Sequence, residues 1–336
     1  MRYALWVMRA AIVLNPYARN APSWQRLLSA VAVERLRGWE IEVMESRAPM
    51  HAIGLAREAA RKGARVVFAC GGDGTVNEVI NGILGTGAAL GVLRAGTGNV
   101  FGKEVRVPRK LESALSVLDE GRLYQFDLGY AEGPAVTFAP PDASGPAPAD
   151  ARRYFLLMAG IGFDGAVVRR VPRAPKRVLG TASYVIWGAA EALRFKGTRV
   201  SLKLDGQRQE MEVYWTLLGN TRSYGGVADV ALQAVADDGL LDAYLFSGKG
   251  LPFLISTGAR IAFRRHQNAP SVTYARVASL EIETPGLHVQ ADGEYFGETP
   301  IRFGVERRVL EVLLMPGAAD RILTGQAGEP VVPQEA

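Results

Sequence analysis

Cysteine and histidine are scarce in this chain. Cys70 is the one cysteine among 336 residues, so an internal disulfide is excluded. A lone thiol suits a reducing compartment, and at the end of an apolar run it reads as a small core residue. The three histidines, His51, His266 and His288, are scattered and suggest no zinc site. Long apolar runs are missing too. The longest stretch without a charged residue, Val79–Leu93, has 15 residues and is interrupted by glycines, whereas a spanning helix needs about 18–20 apolar residues. Charge of one sign is in small excess: 39 Lys+Arg against 34 Asp+Glu leave +5. That balance suits an anionic small molecule or an anionic membrane face and falls short of the basic stripe of a nucleic-acid binder. No G-x-S-x-G elbow and no P-loop is present. The opening MRYALWVMRAAIVLNP is broken by Arg9 and lacks a small-residue cleavage site, so it reads as a first strand and not as a signal peptide.

What is present has a clear order. Apolar runs at 10–14, 40–45, 65–70, 90–93 and 124–130 alternate with helical spacing at 23–37, 51–62, 76–84 and 109–120. Such alternation predicts βαβ units and a parallel sheet, whose ligands bind at the carboxyl ends of the strands. The stretch APPDASGPAPAD (139–150) has no periodicity and reads as a surface loop. Beyond it short strands dominate, with hairpins expected at 201–218, turning at Asp205-Gly206, and at 280–290, turning at Pro285-Gly286. Two helical patterns, near 164–171 and 181–194, interrupt this β-rich half, and 309–315 reads as a late strand. The length and this change of pattern predict two domains.

The strand 65–70 runs into Gly71-Gly72-Asp73-Gly74. Thr75 stands three residues before Glu78, the spacing of a capping box, which predicts a helix from Val76 with Val76, Val79, Ile80 and Ile83 on its apolar face. A glycine turn at a helix N-terminus is suited to a phosphate. The aspartate would repel a bare phosphate, but it becomes sensible if a magnesium ion carried by a nucleoside triphosphate lies between them. The structural alternative is a helix N-cap turn with an Asx bond. A second loop, Gly96-Thr97-Gly98-Asn99, follows the next strand. A literal G-x-G-x-x-G at Gly160–Gly165 lies in the β-rich half, and Pro172 and Pro175 cut short the helix a dinucleotide site requires. Two acidic turns, ADDGLLD (236–242) and ADGEYFG (291–297), are each explained by the commonness of Asp-Gly in turns. Asp292-Gly293-Glu294 nevertheless places two carboxylates on one turn, where either could accept a proton from an alcohol.

Taken in order, GGDGTVNEVING, GTGNVFGKE, FDLG, AGIGFDG, GNTRSYGG, ADDGLLD and ADGEYFGETP resemble the diacylglycerol kinase catalytic superfamily, and above all its soluble bacterial lipid kinases, relatives of the sphingosine kinases. The resemblance runs from about Ala11 to Leu314. It implies an α/β plus β architecture: a doubly wound, parallel-sheet ATP domain over 1–130, a β-sandwich lipid domain over 131–315, and a tail, 316–336, packed back on the first. It implies ATP-dependent phosphorylation of a lipid hydroxyl, as used in phospholipid biosynthesis. Nucleotide contacts would fall on Asn15, Ser46, Gly71, Gly72, Asp73, Gly74, Thr75, Val76, Asn77 and Thr97. Glu294 would be the proton acceptor, with Asp292 beside it and Asp73 opposite the metal. A structural magnesium site would map to the Asp238 side chain with the carbonyls of Val235 and Leu240, and Asp127 would join the polar network near it. Ser46 stands where threonine is usual, the early loop NPYARNAPS lacks a common glycine, Val100-Phe101 replace a polar–apolar pair, and 139–150 reads as an insertion.

Two other readings stay open at the level of sequence: an NAD kinase-like phosphotransferase, and a non-catalytic lipid- or nucleotide-binding module. The expected setting is cytoplasmic. Arg169, Arg170, Arg173, Lys176 and Arg177 precede an apolar segment and offer a peripheral contact with the inner face of a cell membrane; an ordinary solvated face is the alternative. The particular lipid and the oligomeric state, a homodimer included, are not readable from the chain.

Overall fold

The computed structural model describes residues 8–136, 152–170, 191, 195, 197–326 and 328–331. The loop 139–150 lies outside them, as does the helical pattern at 181–194 apart from Glu191. The chain divides into two compact units, Met1–Phe126 with Arg308–Arg321 and Gly325–Ala336, and Asp127–Arg307 with Ile322–Thr324.

In the first unit, strands β1 (Met8–Leu14), β2 (Trp39–Glu45), β3 (Val66–Gly71) and β4 (Ala89–Arg94) form a parallel sheet in the order β2-β1-β3-β4. Residues of β3 are buried throughout, as expected of a parallel strand covered on both faces. Alternate side chains, Ile12, Leu14, Val66, Phe68 and Leu93, pack with Leu27, Ala30 and Val31 of α1 (Trp24–Leu36) and with the short helices α5 (Leu111–Leu115) and α6 (Val117–Glu120). The opposite face meets α2 (His51–Arg61) and α3 (Asp73–Ile83), whose buried residues are Ala52, Ala56, Ala59, Val79 and Ile80. The sheet is therefore doubly wound. A further short helix, α4 (Val100–Glu104), follows β4.

Strand order decides where this unit can bind. After β1 the chain moves to one side for β2 and to the other for β3, so the carboxyl ends of β1 and β3 flank a topological switch point. Asn15 lies at one end and Gly71 at the other, and the Asn15 amide donates to the Cys70 carbonyl at 2.9 Å. The second half of the long strand β18 (Ile301–Leu314) adds beside β4, with Val312 opposite Leu90, and Glu329-Pro330 (β19) pairs with the start of β5 (Arg122–Glu132).

The second unit is a β-sandwich. One sheet has the order β14-β13-β10-β7-β16-β17, formed by Val272–Val277, Leu241–Phe246, Trp215–Gly219, Met158–Gly162, His288–Ala291 and Glu294–Glu298. The other contains β9 (Gln207–Val213), β8 (Thr198–Leu204), β15 (Ser279–Ile282) and the first half of β18. Ile161, Leu218, Leu245 and Val289 from the first meet Leu202, Leu280 and Phe303 from the second in one core. Helix α7 (Phe163–Arg170) covers β7 and β16, and α8 (Gly250–Ala262) follows β13.

Some elements differ from the pattern-based expectation. Helix α3 begins at Asp73 and not at Val76, because Gly72 is its N-cap and the Val76 amide already bonds the Gly72 carbonyl. No capping box forms: Glu78 instead accepts from the Ala52 amide at 3.0 Å, in the first turn of α2. The hairpin at Asp205-Gly206 forms as β8–β9, with both turn residues at positive φ. The segment 280–290 is no hairpin, since β15 pairs with β8 and β18 while β16 pairs with β7 and β17 in the other sheet. Pro285-Gly286 carries the chain between layers.

Two glycines report on this packing in opposite directions. A Cβ on Gly165 would collide with the His288 carbonyl, whereas Gly54, exposed inside α2, has nothing within 4 Å. Gly165→Ala is expected to destabilise by about 1–3 kcal/mol and Gly54→Ala to stabilise by about 0.5–1 kcal/mol. Urea denaturation midpoints of the two variants against the parent check both signs.

Candidate active site

In the first unit the two glycine loops are built as one body. The Ala95 and Gly96 amides both donate to the Gly71 carbonyl, at 2.9 and 3.0 Å. A Cβ on Gly96 would overlap the Cα of Gly72, so only glycine lets the loops touch. Asp73 fastens them: its Oδ1 accepts from the Val100 amide at 2.6 Å, at the N-terminus of α4. Burial pushes the Asp73 carboxyl above its usual range, against the opposing pull of the Val100 and Phe101 amides and of Lys103. In this structure the Asp73 carboxylate caps the next helix. Asn99 closes the second loop, accepting from the Gly96 amide at 2.9 Å and donating to the Gly96 carbonyl at 2.6 Å, with its φ at 48°.

Asn15 spans the switch point. Its Nδ2 donates to Thr75 Oγ1 at 3.2 Å while its Oδ1 accepts from the Tyr17 amide. Asn20 donates to the Gly96 carbonyl at 2.9 Å, which ties the β1–α1 loop to the second glycine loop. The amides of Gly74 and Thr75, in the first turn of α3, have no backbone acceptor within the helix, while that of Asp73 donates to its own carboxylate. Gly72 and Gly74 are half-buried, Val76 and Asn77 are buried, and Thr97 is exposed. Asn77 turns inward, where its carbonyl and Oδ1 accept from Asn81 Nδ2. Ser46 is buried and donates to the Ala48 carbonyl at 3.3 Å. Arg94, at the end of β4, lines a cavity of about 290 Å³ with Asn20, Arg26 and Arg109. Burial and the neighbouring Arg109 charge lower its pKa, with Asp73 pulling the other way.

In the second unit, Asp292-Gly293 is the two-residue turn between β16 and β17, with φ of 50° and 79°. That geometry is the mirror-image turn favoured by Asp-Gly. Asp292 is fully engaged. Its Oδ2 accepts from the Leu156 amide at 2.8 Å, and its Oδ1 accepts from Leu157 and Met158 at 2.9 and 3.1 Å. Glu294 differs. Its Oε2 accepts from Arg153 Nη2 at 2.8 Å, and no bond within the protein holds Oε1 among the described residues. Arg153 is itself buried, donates to the Tyr295 carbonyl and lies 3.9 Å over the Phe296 ring. A buried cation thus orients a carboxylate that stays partly open to solvent.

Behind the turn lies Asp164, which accepts from Tyr224 Oη at 2.5 Å and Gln290 Nε2 at 2.6 Å. Gln290 Oε1 in turn accepts from the Gly293 amide at 2.9 Å. Burial raises the Asp164 carboxyl more than these donors lower it. The G-x-G-x-x-G stretch serves this packing. Gly160 makes room for the Asp164 carboxylate and Gly165 for the backbone of β16, so it is no dinucleotide loop.

The acidic turn at 235–240 is closed by protein groups. Asp127 Oδ2 accepts from the Gly239 amide at 2.6 Å, and Asp237 accepts from Thr324. Asp238 accepts from the Leu240 amide through Oδ1 and pairs with Arg276 through Oδ2. Within the set Val235, Asp238 and Leu240 the carboxylate is thus engaged by a backbone amide and a guanidinium. No group of three or more His, Cys, Asp or Glu side chains suited to a metal occurs among the described residues. Arg169 pairs with Glu298 and Arg170 with Glu191, while Arg173, Lys176 and Arg177 lie outside the described residues.

Several of these groups escape a reading of the sequence. Asn20, Arg153 and Gln290 sit in no motif of their own, and Arg153 meets Glu294 across 141 positions. Only the fold brings Arg153 and Glu294 together.

Comparison with known proteins agrees with this architecture. Residues 9–131 match the model of the diacylglycerol kinase catalytic domain. Residues 158–314 match that of the YegS C-terminal NAD kinase beta sandwich-like domain. A diacylglycerol kinase of Bacillus subtilis (strain 168) is 26% identical over 319 residues, covering 94% of this chain and 99% of its own. A protein of Cronobacter sakazakii (strain ATCC BAA-894), named "Probable lipid kinase YegS-like", is 29% identical over 296 residues, covering 86% and 91%. A solved structure from Bacillus anthracis str. Sterne shares the fold, with a TM-score of 0.73 at 21% identity, covering 93% of this chain and 96% of that one. With both domains matched in their order along nearly the whole chain, the protein belongs to the diacylglycerol kinase family and is a lipid kinase.

Proposed function

We propose that this kinase transfers the γ-phosphoryl group of ATP to the free hydroxyl of diacylglycerol or a closely similar glycerolipid. The observation that carries this reading is the fused pair of glycine loops at the switch point, with the Gly74 and Thr75 amides unclaimed by the helix. Phosphoryl transfer depends on positioning and on charge neutralisation, with little covalent help from the protein. Gly71–Thr75 would cradle the phosphates, Thr97 would reach them from the second loop, and Asn15 would hold Thr75 in place. Val76, Asn77 and Ser46 are buried supports of the loop in this scheme. Asp73 acts through α4, as a positioning residue. Magnesium arriving with the triphosphate supplies further charge neutralisation. Glu294 accepts the hydroxyl proton through Oε1 while Arg153 fixes Oε2, and Asp292 keeps the turn in register. The relatives' names motivate the choice of diacylglycerol. A lipid acceptor also motivates a peripheral contact with a membrane, and a screen of radiolabelled ATP against a lipid panel tests the acceptor.

Three outcomes test these roles. Glu294→Gln should lower kcat by about 10²–10⁴-fold with little change in the KM for ATP. Parent-like turnover would remove Glu294 as the base. Asp73→Ala should cost about 0.5–2 kcal/mol of stability through loss of the α4 cap and raise the KM for ATP. Asp73→Asn, which keeps an acceptor for Val100, should behave close to the parent. If Asp73 instead contacts a metal directly, Asn will fail as badly as Ala.

The third outcome concerns pH. Asp164 has a folded-state pKa above the unfolded value of about 3.9. Its contribution to stability is complete below that value and is lost as pH rises through the folded one. Asp164→Asn should therefore destabilise more near pH 4 than near pH 8, as read from denaturation midpoints at the two pH values; an equal loss at both would show that the carboxyl is not shifted.

A further inference from the structure

Helix α8 carries apolar residues on its outward side as well as on its inward one, which is unusual for a surface helix in water. Its inward side is anchored by Phe253, whose ring centroid lies 5.7 Å from that of Tyr214, and by buried Thr257, one turn further on. The side facing solvent carries Ile255, Gly258, Ala259 and Ala262, at i, i+3, i+4 and i+7, and every one is exposed. Phe263 follows at the C-cap. Ile255 and Phe263 are 65% and 76% exposed, and Val227, in the β11–β12 turn (Ser223–Tyr224 and Ala228–Asp229), is 73% exposed. Arg264 joins the two elements through Asp229 at 2.8 Å. These three are the only large apolar side chains of the second unit with such exposure among its described residues. A surface helix normally turns its polar residues outward, and exposed apolar clusters of this kind mark contact surfaces.

Charge indicates what covers it. Between Asp242 and Glu281 the chain has no acidic residue and five basic ones, Lys249, Arg260, Arg264, Arg265 and Arg276. Arg276 is paired with Asp238 and Arg264 with Asp229. Lys249, Arg260 and Arg265 have no carboxylate partner among the described residues and flank the two ends of the helix. An exposed apolar stripe bordered by cations is the pattern of a helix lying in a membrane interface, with its apolar side among acyl chains and its cations at anionic headgroups.

We infer that α8, with Phe263 and Val227, is the surface on which this protein docks onto an anionic lipid bilayer. This rests on the proposed lipid acceptor and names the part of the chain that reaches it. No described helix is long and apolar enough to cross a membrane, so contact through α8 is peripheral and reversible. Its strength falls with added salt, because part of it is electrostatic.

Sedimentation with vesicles of phosphatidylcholine, with and without phosphatidylglycerol, tests the inference. The parent should partition onto the anionic vesicles. Arg260→Gln with Arg265→Gln should weaken that partition about 25-fold, equivalent to about 1 kcal/mol for each arginine. Ile255→Gln with Phe263→Gln removes apolar area without changing charge, at positions too exposed to unfold the protein, and should also release it from anionic vesicles. Both pairs should retain activity on a short-chain diacylglycerol in solution and lose it on the bilayer-embedded lipid. Unchanged vesicle binding in both pairs overturns the assignment. So does a parent that is dimeric in sedimentation equilibrium and is split by Phe263→Gln while binding vesicles as before, since α8 would then cover a second copy. Absence of kinase activity on every lipid, with vesicle binding still dependent on α8, would remove the proposed acceptor and leave the docking surface standing.

Discussion

The hydrogen bond from the Val100 amide to the Asp73 carboxylate is the constraint on which the two glycine loops of the first unit depend. A carboxylate withdrawn from water is costly unless it accepts hydrogen bonds, and here the acceptor capacity is filled by the amides that begin α4. The bond joins loops that follow neighbouring strands, β3 and β4. Neither loop can move without breaking it, and their contact is too close for any residue but glycine at position 96. Backbone amides fixed in advance can stabilise an anion without reorganising when it arrives. The glycines give access, and the aspartate makes the access rigid.

The second unit uses the same device on its Asp-Gly-Glu turn. Asp292 places both oxygens on three consecutive backbone amides, which locks the hairpin end against the 156–158 segment. Glu294, two residues later, is held by one side of Arg153 and keeps one oxygen open. Two carboxylates on one turn thus have opposite duties. Arg153 can sit buried because it has a carboxylate, a carbonyl and an aromatic face around it. Truncating either member of that pair would strand the other in a poorly hydrated place, which is more damaging than never having built it.

Much of the architecture was legible in the chain. Buried parallel strands such as VVFACG announce themselves as unbroken apolar runs, and the Asp205-Gly206 hairpin follows from turn chemistry. Local rules failed where a tertiary partner outbid them. Thr75 and Glu78 have capping-box spacing, but Glu78 finds a better donor in Ala52 of a neighbouring helix. Pro285-Gly286 is a sound turn signal, yet the strands it separates belong to different sheets because each buries its apolar side in a different layer. In the site, the glycine loops were visible as motifs, whereas the direction of the Asp73 carboxylate was not. A sequence shows that a charge is present and does not show which of several donors takes it. Asp238 illustrates this from the other side: the partner of its carboxylate in this structure is Arg276, 38 residues on, which no local pattern announces.

Helix α8 shows why periodicity alone can mislead about function. Its apolar residues recur at helical spacing, and the ordinary inference from such spacing is that Ile255, Ala259 and Ala262 face a core. The fold instead turns Leu251, Phe253, Leu254 and Ile261 inward around buried Thr257 and leaves this second apolar stripe in solvent. A protein that acts only on dissolved molecules gains nothing from that exposed stripe, since exposed phenylalanine and isoleucine promote aggregation. For an enzyme whose acceptor is dissolved in a bilayer the same stripe has a use. Moving a two-chain lipid into water exposes many methylene groups, at about 0.8 kcal/mol each, whereas sinking one helix face into the interface brings the hydroxyl within reach without that penalty. The exposed stripe and the lipid chemistry then have a common cause: the cost of bringing an insoluble acceptor to a water-soluble nucleotide.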